Sequence, residues 1–138
     1  DRAFLAGAVF ADPQALADLE ALVHPAVKSD FVAWAAAQQG DYVVLESAIL
    51  FESGFDRLVD RTVAVLAPVG LRIGRTCRRD GSDPEAVRRR IAAQSDDDAL
   101  SARADFAIVN ILEEELEPAV AELDRRFRLE SKTLQHAG

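Results

Sequence analysis

The sequence is short of several residue types, and each shortage removes a class of site. Cys77 is the only cysteine, which excludes an intrachain disulfide and fits a reducing compartment. Only two histidines are present, His24 and His136, too few for a histidine-based metal cluster. The two lysines, Lys28 and Lys132, follow valine and serine, so these residues contain no phosphate-binding loop in which lysine follows glycine.

Methionine, long apolar runs and excess positive charge are also missing. The lack of any methionine, even at position 1, predicts that Asp1 is not the native start. No apolar run approaches the length of a membrane span and no signal-peptide pattern opens the chain, so a cytoplasmic location is the default expectation. A formal net charge of −8 argues against broad binding to nucleic acid or to anionic membranes. We therefore expect neither as a partner.

What is present is ordinary for one globular domain over residues 1–138, with 49% hydrophobic and 29% charged residues. Three short β-type runs, flanked by turn signals, predict buried strands at 42–46, 62–67 and 105–109. Helical patterns separate these runs. The sequence therefore predicts an α/β fold, a three-layer parallel sheet with helices on both faces.

Three of the helical patterns have clear boundaries. Asp12-Pro13 predicts a cap and a first-turn proline for a helix to about Val23. His24-Pro25 predicts a break, with a second helix over 26–39, and a last helix is expected from 113 to about 128. In parallel sheets ligands bind outside the carboxyl ends of the strands, a position that Glu46, Pro68 and Asn110 would occupy.

Residues 72–94 hold seven of the fourteen arginines in this acidic chain. A turn at Asp80-Gly81 divides them between two predicted helices, and Ser82 is the predicted cap of the second. Guanidinium forks match phosphate oxygens and stabilise charge on a phosphoryl group in transfer. An exposed, solvated arginine face is the competing interpretation, and spacing alone does not decide between the two.

The order of these motifs resembles the dephospho-CoA kinase family across nearly the whole chain. The resemblance rests on six segments in that family's order: HPAV at His24, ESAILFESGF at Glu46, the strand ending in AP at Ala67, LRIGRTCRRDGS at Leu71, RRRIAAQ at Arg88 and ADFAIVN at Ala104. It implies a P-loop kinase fold that transfers the γ-phosphoryl of ATP to the 3′-hydroxyl of dephospho-CoA, with Mg²⁺ as cofactor.

The resemblance also implies roles for residues on the ATP side. Glu46 matches the acidic residue that helps to organise the metal. Asn110 matches the asparagine near the adenine, and Gln94 lies on the returning helix of an arginine-rich lid over about 72–94. The arginines implied to act in catalysis, by closing over the ATP phosphates, are Arg75, Arg79 and Arg90.

On the acceptor side the resemblance implies that helices within about residues 1–40 bind dephospho-CoA. The residues expected to contact this substrate are His24, Phe51 and Glu52.

The chain departs from the family pattern in three ways. The family begins with a strand, a glycine-rich P-loop and a segment bearing the catalytic aspartate, and none of these is in the 138 residues, which predicts an inactive chain as it stands. Aspartate and proline are frequent in the family where Glu46 and Ala48 lie. Family members also often carry methionine after the glutamine equivalent to Gln94, which suggests a residue omitted before Ser95. A catalytically dead ligand- or protein-binding module of the same fold is the alternative function.

Overall fold

The computed structural model of this chain describes residues 5, 9, 12–92 and 97–135. Its elements, in chain order, are helix α1 (Pro13–Ala36), a 3-10 helix (Phe55–Leu58), strand β1 (Val63–Leu66), helices α2 (Val69–Asp80), α3 (Pro84–Ala92) and α4 (Asp97–Arg103), strand β2 (Phe106–Val109) and helix α5 (Glu113–Gln135). No helix within these ranges is both long enough and apolar enough to cross a membrane.

Strands β1 and β2 pair in parallel, with Val63 opposite Phe106 and Leu66 opposite Val109. Helices α2, α3 and α4 form the connection between them, as a parallel pair requires. The α/β class with parallel strands is therefore confirmed. The buried apolar side chains around this unit come from both strands, the 3-10 helix and the two arginine helices: Phe55, Ala64, Ala67, Ile73, Val87 and Ile108.

The strand predicted at 42–46 is not found, although its sequence pattern is strand-like. Residues 43–48 alternate between half-buried and exposed side chains, as one face of a strand would. However, the sheet of the described residues contains only β1 and β2, and neither pairs with this segment. A strand exists only through its ladder partner, so the correct local pattern gives an extended segment here rather than a strand.

Helix α5 holds the beginning of this extended segment. The Tyr42 hydroxyl donates to Asp124 Oδ1 at 2.5 Å, and the Tyr42 ring meets Phe127 edge-on at 5.7 Å. Arg128 pairs with both Asp124 and Asp41, at 2.9 Å and 2.7 Å. The hydrogen bond from Tyr42 raises the pKa of its own hydroxyl, because the neighbouring carboxylate disfavours the phenolate.

The break predicted at His24-Pro25 is wrong, because α1 runs through Pro25 without interruption. Asp12 caps the helix by accepting from the Gln14 backbone N–H at 2.9 Å, and Pro13 occupies the first turn, as predicted. An internal proline removes one backbone hydrogen bond but leaves the others on either side. His24 and Lys28 lie on either side of Pro25, one turn apart. Both contact the ring of Phe55, so the two sides of the helix share one packing partner.

The turn between the two arginine helices is confirmed at Asp80-Gly81. Gly81 has a φ of 64°, a conformation that favours glycine, and its N–H donates to Cys77 O at 2.9 Å to close α2. The predicted cap of α3 at Ser82 is wrong. The cap is Asp83, directly before Pro84, whose side chain accepts from the Ala86 N–H at 2.9 Å. Ala86 is the third residue of α3, and a capping side chain bonds the second or third N–H of its helix.

The side chain of Asp105 links the starts of the two strands, and its charge is expected to stabilise the fold. Its Oδ2 accepts from Thr62 N at 2.7 Å and from Thr62 Oγ1 at 2.8 Å, and these bonds lower the pKa of Asp105. Stability from a depressed carboxyl pKa is present above the unfolded value and is lost as the pH falls through the folded one. We expect Asp105→Asn to lower the free energy of unfolding by about 1 kcal/mol at pH 7, since the acceptor of both hydrogen bonds loses its negative charge.

Denaturant unfolding at several pH values checks this. The difference between the wild type and Asp105→Asn should shrink below about pH 4, where the wild-type carboxyl also becomes protonated. The matched control is Asp30→Asn on α1, an exposed position that should change stability by less than about 0.5 kcal/mol. A constant difference across the pH range would contradict the assignment to the Asp105 charge.

Candidate functional site

The candidate site lies at the carboxyl ends of β1 and β2. Asn110 directly follows β2, and its backbone N–H donates to Leu66 O at 2.7 Å, so that the two strands end level with each other. The Asn110 side chain is half-buried. Open parallel sheets bind ligands at this edge, which is the position predicted for Asn110 from the sequence.

Arg75 reaches this edge from α2. Its Nη1 donates to both Asn110 O and Asn110 Oδ1, each at 2.9 Å, and its Nη2 donates to Ile111 O at 3.1 Å. Three oxygens of the residues that follow β2 therefore hold one guanidinium. The structure thus brings together two residues predicted separately for the site, and sequence reasoning gave no indication of a direct bond between them.

Arg79 lies in the last turn of α2, beside the turn that joins the two helices, and Arg90 lies in the last turn of α3. Arg79 makes a bidentate pair with Asp80, at 2.7 Å and 3.0 Å. This pair, together with the field of Arg90, lowers the pKa of Asp80. Both arginine side chains are exposed, and the Arg79–Asp80 pairing was not predicted.

The three predicted arginines lie on the two helices of one hairpin. Arg75 and Arg79 are one turn apart on the same face of α2, so their guanidinium groups run from the strand ends toward the turn. Arg90 lies in the last turn of α3. Gln94, also predicted for this lid, and the junction before Ser95 lie outside the described residues.

A large cavity of about 1050 Å³ separates the extended segment 42–48 from β1. Glu46 and Arg72 both line it, as do the apolar side chains of Val44 and Val65, which are 75% and 61% exposed. Arg72 pairs with Asp97 at 3.3 Å, while its Nε is buried and has no hydrogen-bond partner. The cavity has the unpaired side of β1 as one wall, so it forms a groove beside the sheet.

Glu46, the predicted metal ligand, is exposed on the wall of this groove. Among the described residues no group of three or more histidine, cysteine or acidic side chains is arranged to hold a metal. Mg²⁺ is commonly held by one or two carboxylates together with substrate phosphates and water, so a single carboxylate is compatible with such an ion.

The predicted acceptor residues lie near the 3-10 helix. The ring of His24 meets Phe55 edge-on at 6.0 Å, and Phe51 is half-buried and lines the groove. The Arg103 guanidinium stacks over Phe51 at 4.2 Å, a contact that sequence reasoning missed because the two residues belong to distant segments. Glu52 is exposed beside Phe51.

Comparison with known proteins places the chain in a family. The sequence model of the family described as CoaE, dephospho-CoA kinase, matches residues 1–115. The dephospho-CoA kinase of Porphyromonas gingivalis is 38% identical over 125 residues, 90% of this chain and 62% of that protein. The dephospho-CoA kinase of Methylococcus capsulatus is 41% identical over 130 residues, 94% of this chain and 66% of that protein.

A solved structure shows the same fold. The crystal structure of TT1252 from Thermus thermophilus superposes with a TM-score of 0.79 at 34% identity, and the match covers 89% of this chain and 67% of that one. The chain thus spans about three fifths to two thirds of the length of these proteins. With the match of residues 1–115 to the family model, these similarities show that the chain belongs to the dephospho-CoA kinase family.

Proposed function

We propose that the full-length gene product transfers the γ-phosphoryl group of ATP to the 3′-hydroxyl of dephospho-CoA, the last step of coenzyme A biosynthesis. The observation that carries this proposal is the bond between Arg75 and Asn110 at the strand ends. It connects the arginine hairpin to the edge of the sheet where a nucleotide is expected, so one ligand can contact both. Family membership selects the reaction.

On the ATP side, each group of residues suits one part of the nucleotide. The Asn110 carboxamide suits the adenine, because an amide offers hydrogen bonds to a base edge. Arg79 and Arg90 suit the phosphates, whose charge would replace that of Asp80 as the partner of Arg79. Gln94 is proposed on the same lid from the family resemblance. Closing the hairpin over the phosphates would exclude water from the transfer.

Glu46 is the residue proposed to hold Mg²⁺. Its carboxylate is exposed on the groove wall, in reach of solvent, and no competing lysine or arginine pairs with it among the described contacts. The ion, when bound with ATP, supplies positive charge that offsets the charge on the transferring phosphoryl group. Glu46 would orient the ion's water ligands, a role in which its charge matters more than its size.

The groove between segment 42–48 and β1 is proposed to hold a further strand of the full-length protein. One side of β1 lacks a partner among the described residues, and the facing segment is already extended. A parallel strand inserted there would satisfy both backbones and cover Val44 and Val65. The resemblance assigns such a strand, followed by the P-loop, to the beginning of the family's chain.

Dephospho-CoA is proposed to bind beside α1 and the 3-10 helix. Phe51 supplies an apolar surface on the groove, and the stacked Arg103 adds positive charge at its edge. His24 and Glu52 complete the proposed acceptor side. This combination of an aromatic face and cationic groups suits a ligand that carries both a pantetheine chain and a diphosphate.

The proposal is tested with the purified full-length gene product, ATP, Mg²⁺ and dephospho-CoA. We expect CoA and ADP to form in equal amounts, as followed by liquid chromatography and mass spectrometry. The 138 residues alone serve as the control and should form no CoA, because they contain no lysine after glycine. Binding of both ligands without CoA formation would instead favour the catalytically dead module.

A further inference from the structure

The hydrogen bonds of Arg75 fix which way the Asn110 side chain is turned. A guanidinium carries donors only, so the amide atom that faces Arg75 Nη1 must be the oxygen. The assignment of Oδ1 and Nδ2, usually ambiguous for asparagine, is therefore dictated by the partner. Nη1 also bonds Asn110 O and Nη2 bonds Ile111 O, so the arginine itself has little freedom to release the side chain.

This orientation has a consequence for what Asn110 can recognise. The bond from Arg75 turns Oδ1 toward the guanidinium and leaves Nδ2, which only donates, on the other side of the amide. A base edge that meets Nδ2 must offer an acceptor. Adenine offers unprotonated ring nitrogens as acceptors, whereas its 6-amino group is a donor and would have to bond Oδ1 beside Arg75.

We infer that Arg75 is a positioning residue that holds Asn110 as a hydrogen-bond donor to a ring nitrogen of the ATP adenine. This inference rests on the proposed function and makes it more specific. It gives Arg75 a role different from that of Arg79 and Arg90, because three protein oxygens already engage its guanidinium, whereas the other two side chains are exposed.

A double-mutant cycle on ATP binding tests the inference in the full-length protein, with titration calorimetry as the readout. If Arg75 acts through Asn110, Arg75→Ala and Asn110→Ala should each weaken ATP binding about tenfold, and the double variant no further. An additive loss of about 100-fold in the double variant would overturn the inference. Arg78→Ala, an exposed arginine on the same helix, is the matched control and should leave ATP affinity within about twofold.

Asn110→Asp is the second variant and keeps the test valid if Arg75→Ala does not fold. Aspartate retains the oxygen that Arg75 bonds, so the melting temperature should be unchanged, but it removes the Nδ2 donor. ATP affinity should therefore fall about tenfold or more, while dephospho-CoA affinity stays within about twofold. Wild-type affinity for ATP in this variant would overturn the inference.

Base analogues identify the atom that Asn110 contacts. The wild type should bind one of 1-deaza-ATP, 3-deaza-ATP and 7-deaza-ATP about tenfold more weakly than ATP, and Asn110→Ala should abolish that difference. Equal affinity of the wild type for ATP and for all three analogues would overturn the inference while leaving the kinase proposal intact. A wild-type protein that binds no ATP at all would contradict the kinase proposal itself.

Discussion

Replacing Glu46 with glutamine is expected to lower the kcat of the full-length gene product about 100-fold, with dephospho-CoA affinity within about twofold of the wild type. The carboxylate is exposed on the groove wall, where it is proposed to act on the metal rather than on the acceptor. In that proposed role its charge would be needed mainly when the phosphoryl group is in transfer. Steady-state kinetics over a range of Mg²⁺ concentrations measure the effect, and the Mg²⁺ requirement of the variant should rise.

Glu46→Asp is the control for this prediction. Aspartate keeps the charge and shortens the side chain by one methylene, so most of the activity should remain, within about tenfold of the wild type. Glu117→Gln, at an exposed position of α5, should leave kcat unchanged. Retention of wild-type kcat in Glu46→Gln would remove Glu46 from the metal site.

Arg79→Ala and Arg90→Ala are each expected to lower kcat about 100-fold to 1000-fold. Arg79 pairs with Asp80 at 2.7 Å in the structure, and the charge of Arg90 helps to lower the pKa of Asp80. The ATP phosphates together carry more charge than Asp80 does, and the charge on the leaving group grows during transfer, so the arginines should contribute most in the transition state. The KM for dephospho-CoA should change by less than about threefold, since the proposed acceptor side lies on other elements.

The neighbouring arginines provide matched controls on the same two helices. Arg78 and Arg89 are exposed and adjacent in sequence to Arg79 and Arg90, but make no described contact with Asp80. Arg78→Ala and Arg89→Ala should keep kcat within about threefold of the wild type. Equal losses in all four variants would mean that the hairpin contributes only general positive charge and not two specific phosphate contacts.

Local signals explain why much of the fold could be predicted from the sequence. Strands β1 and β2 are short apolar runs flanked by turn residues, and Gly81 marks the end of α2 because its positive φ is a local property. The prediction of a strand at 42–46 was wrong because strand pairing depends on residues that are distant in the sequence. Its alternating side chains fit a strand, but no ladder partner lies in the described residues.

The prediction at Pro25 was wrong in the opposite sense, because a break was predicted where the helix continues. Pro25 has the local signature of a helix break, yet α1 continues through it, and residues on both sides of Pro25, His24 and Lys28, contact Phe55. These contacts join residues about thirty positions apart. A sequence pattern that extends over one or two turns carries no information about them.

The residues of the candidate site also divide into those that local signals predict and those that depend on distant contacts. Asn110 could be placed at the sheet edge because it follows a strand, and position along the chain fixes that end. Its bond to Arg75 joins α2 to the residues after β2, and the spacing of the arginines fits phosphate contacts equally well. Arg79 and Asp80 are adjacent in sequence, but which anion an exposed arginine chooses depends on the ligands present.

We propose that the groove beside β1 and the arginine hairpin frame a single nucleotide site. The most direct measurement is a crystal structure of the full-length gene product with a non-hydrolysable ATP analogue and Mg²⁺. We predict an added parallel strand in the groove, the phosphates between Glu46 and the pair Arg79 and Arg90, and the adenine against Asn110. A nucleotide bound away from the strand ends, or a groove filled by something other than a strand, would contradict the account.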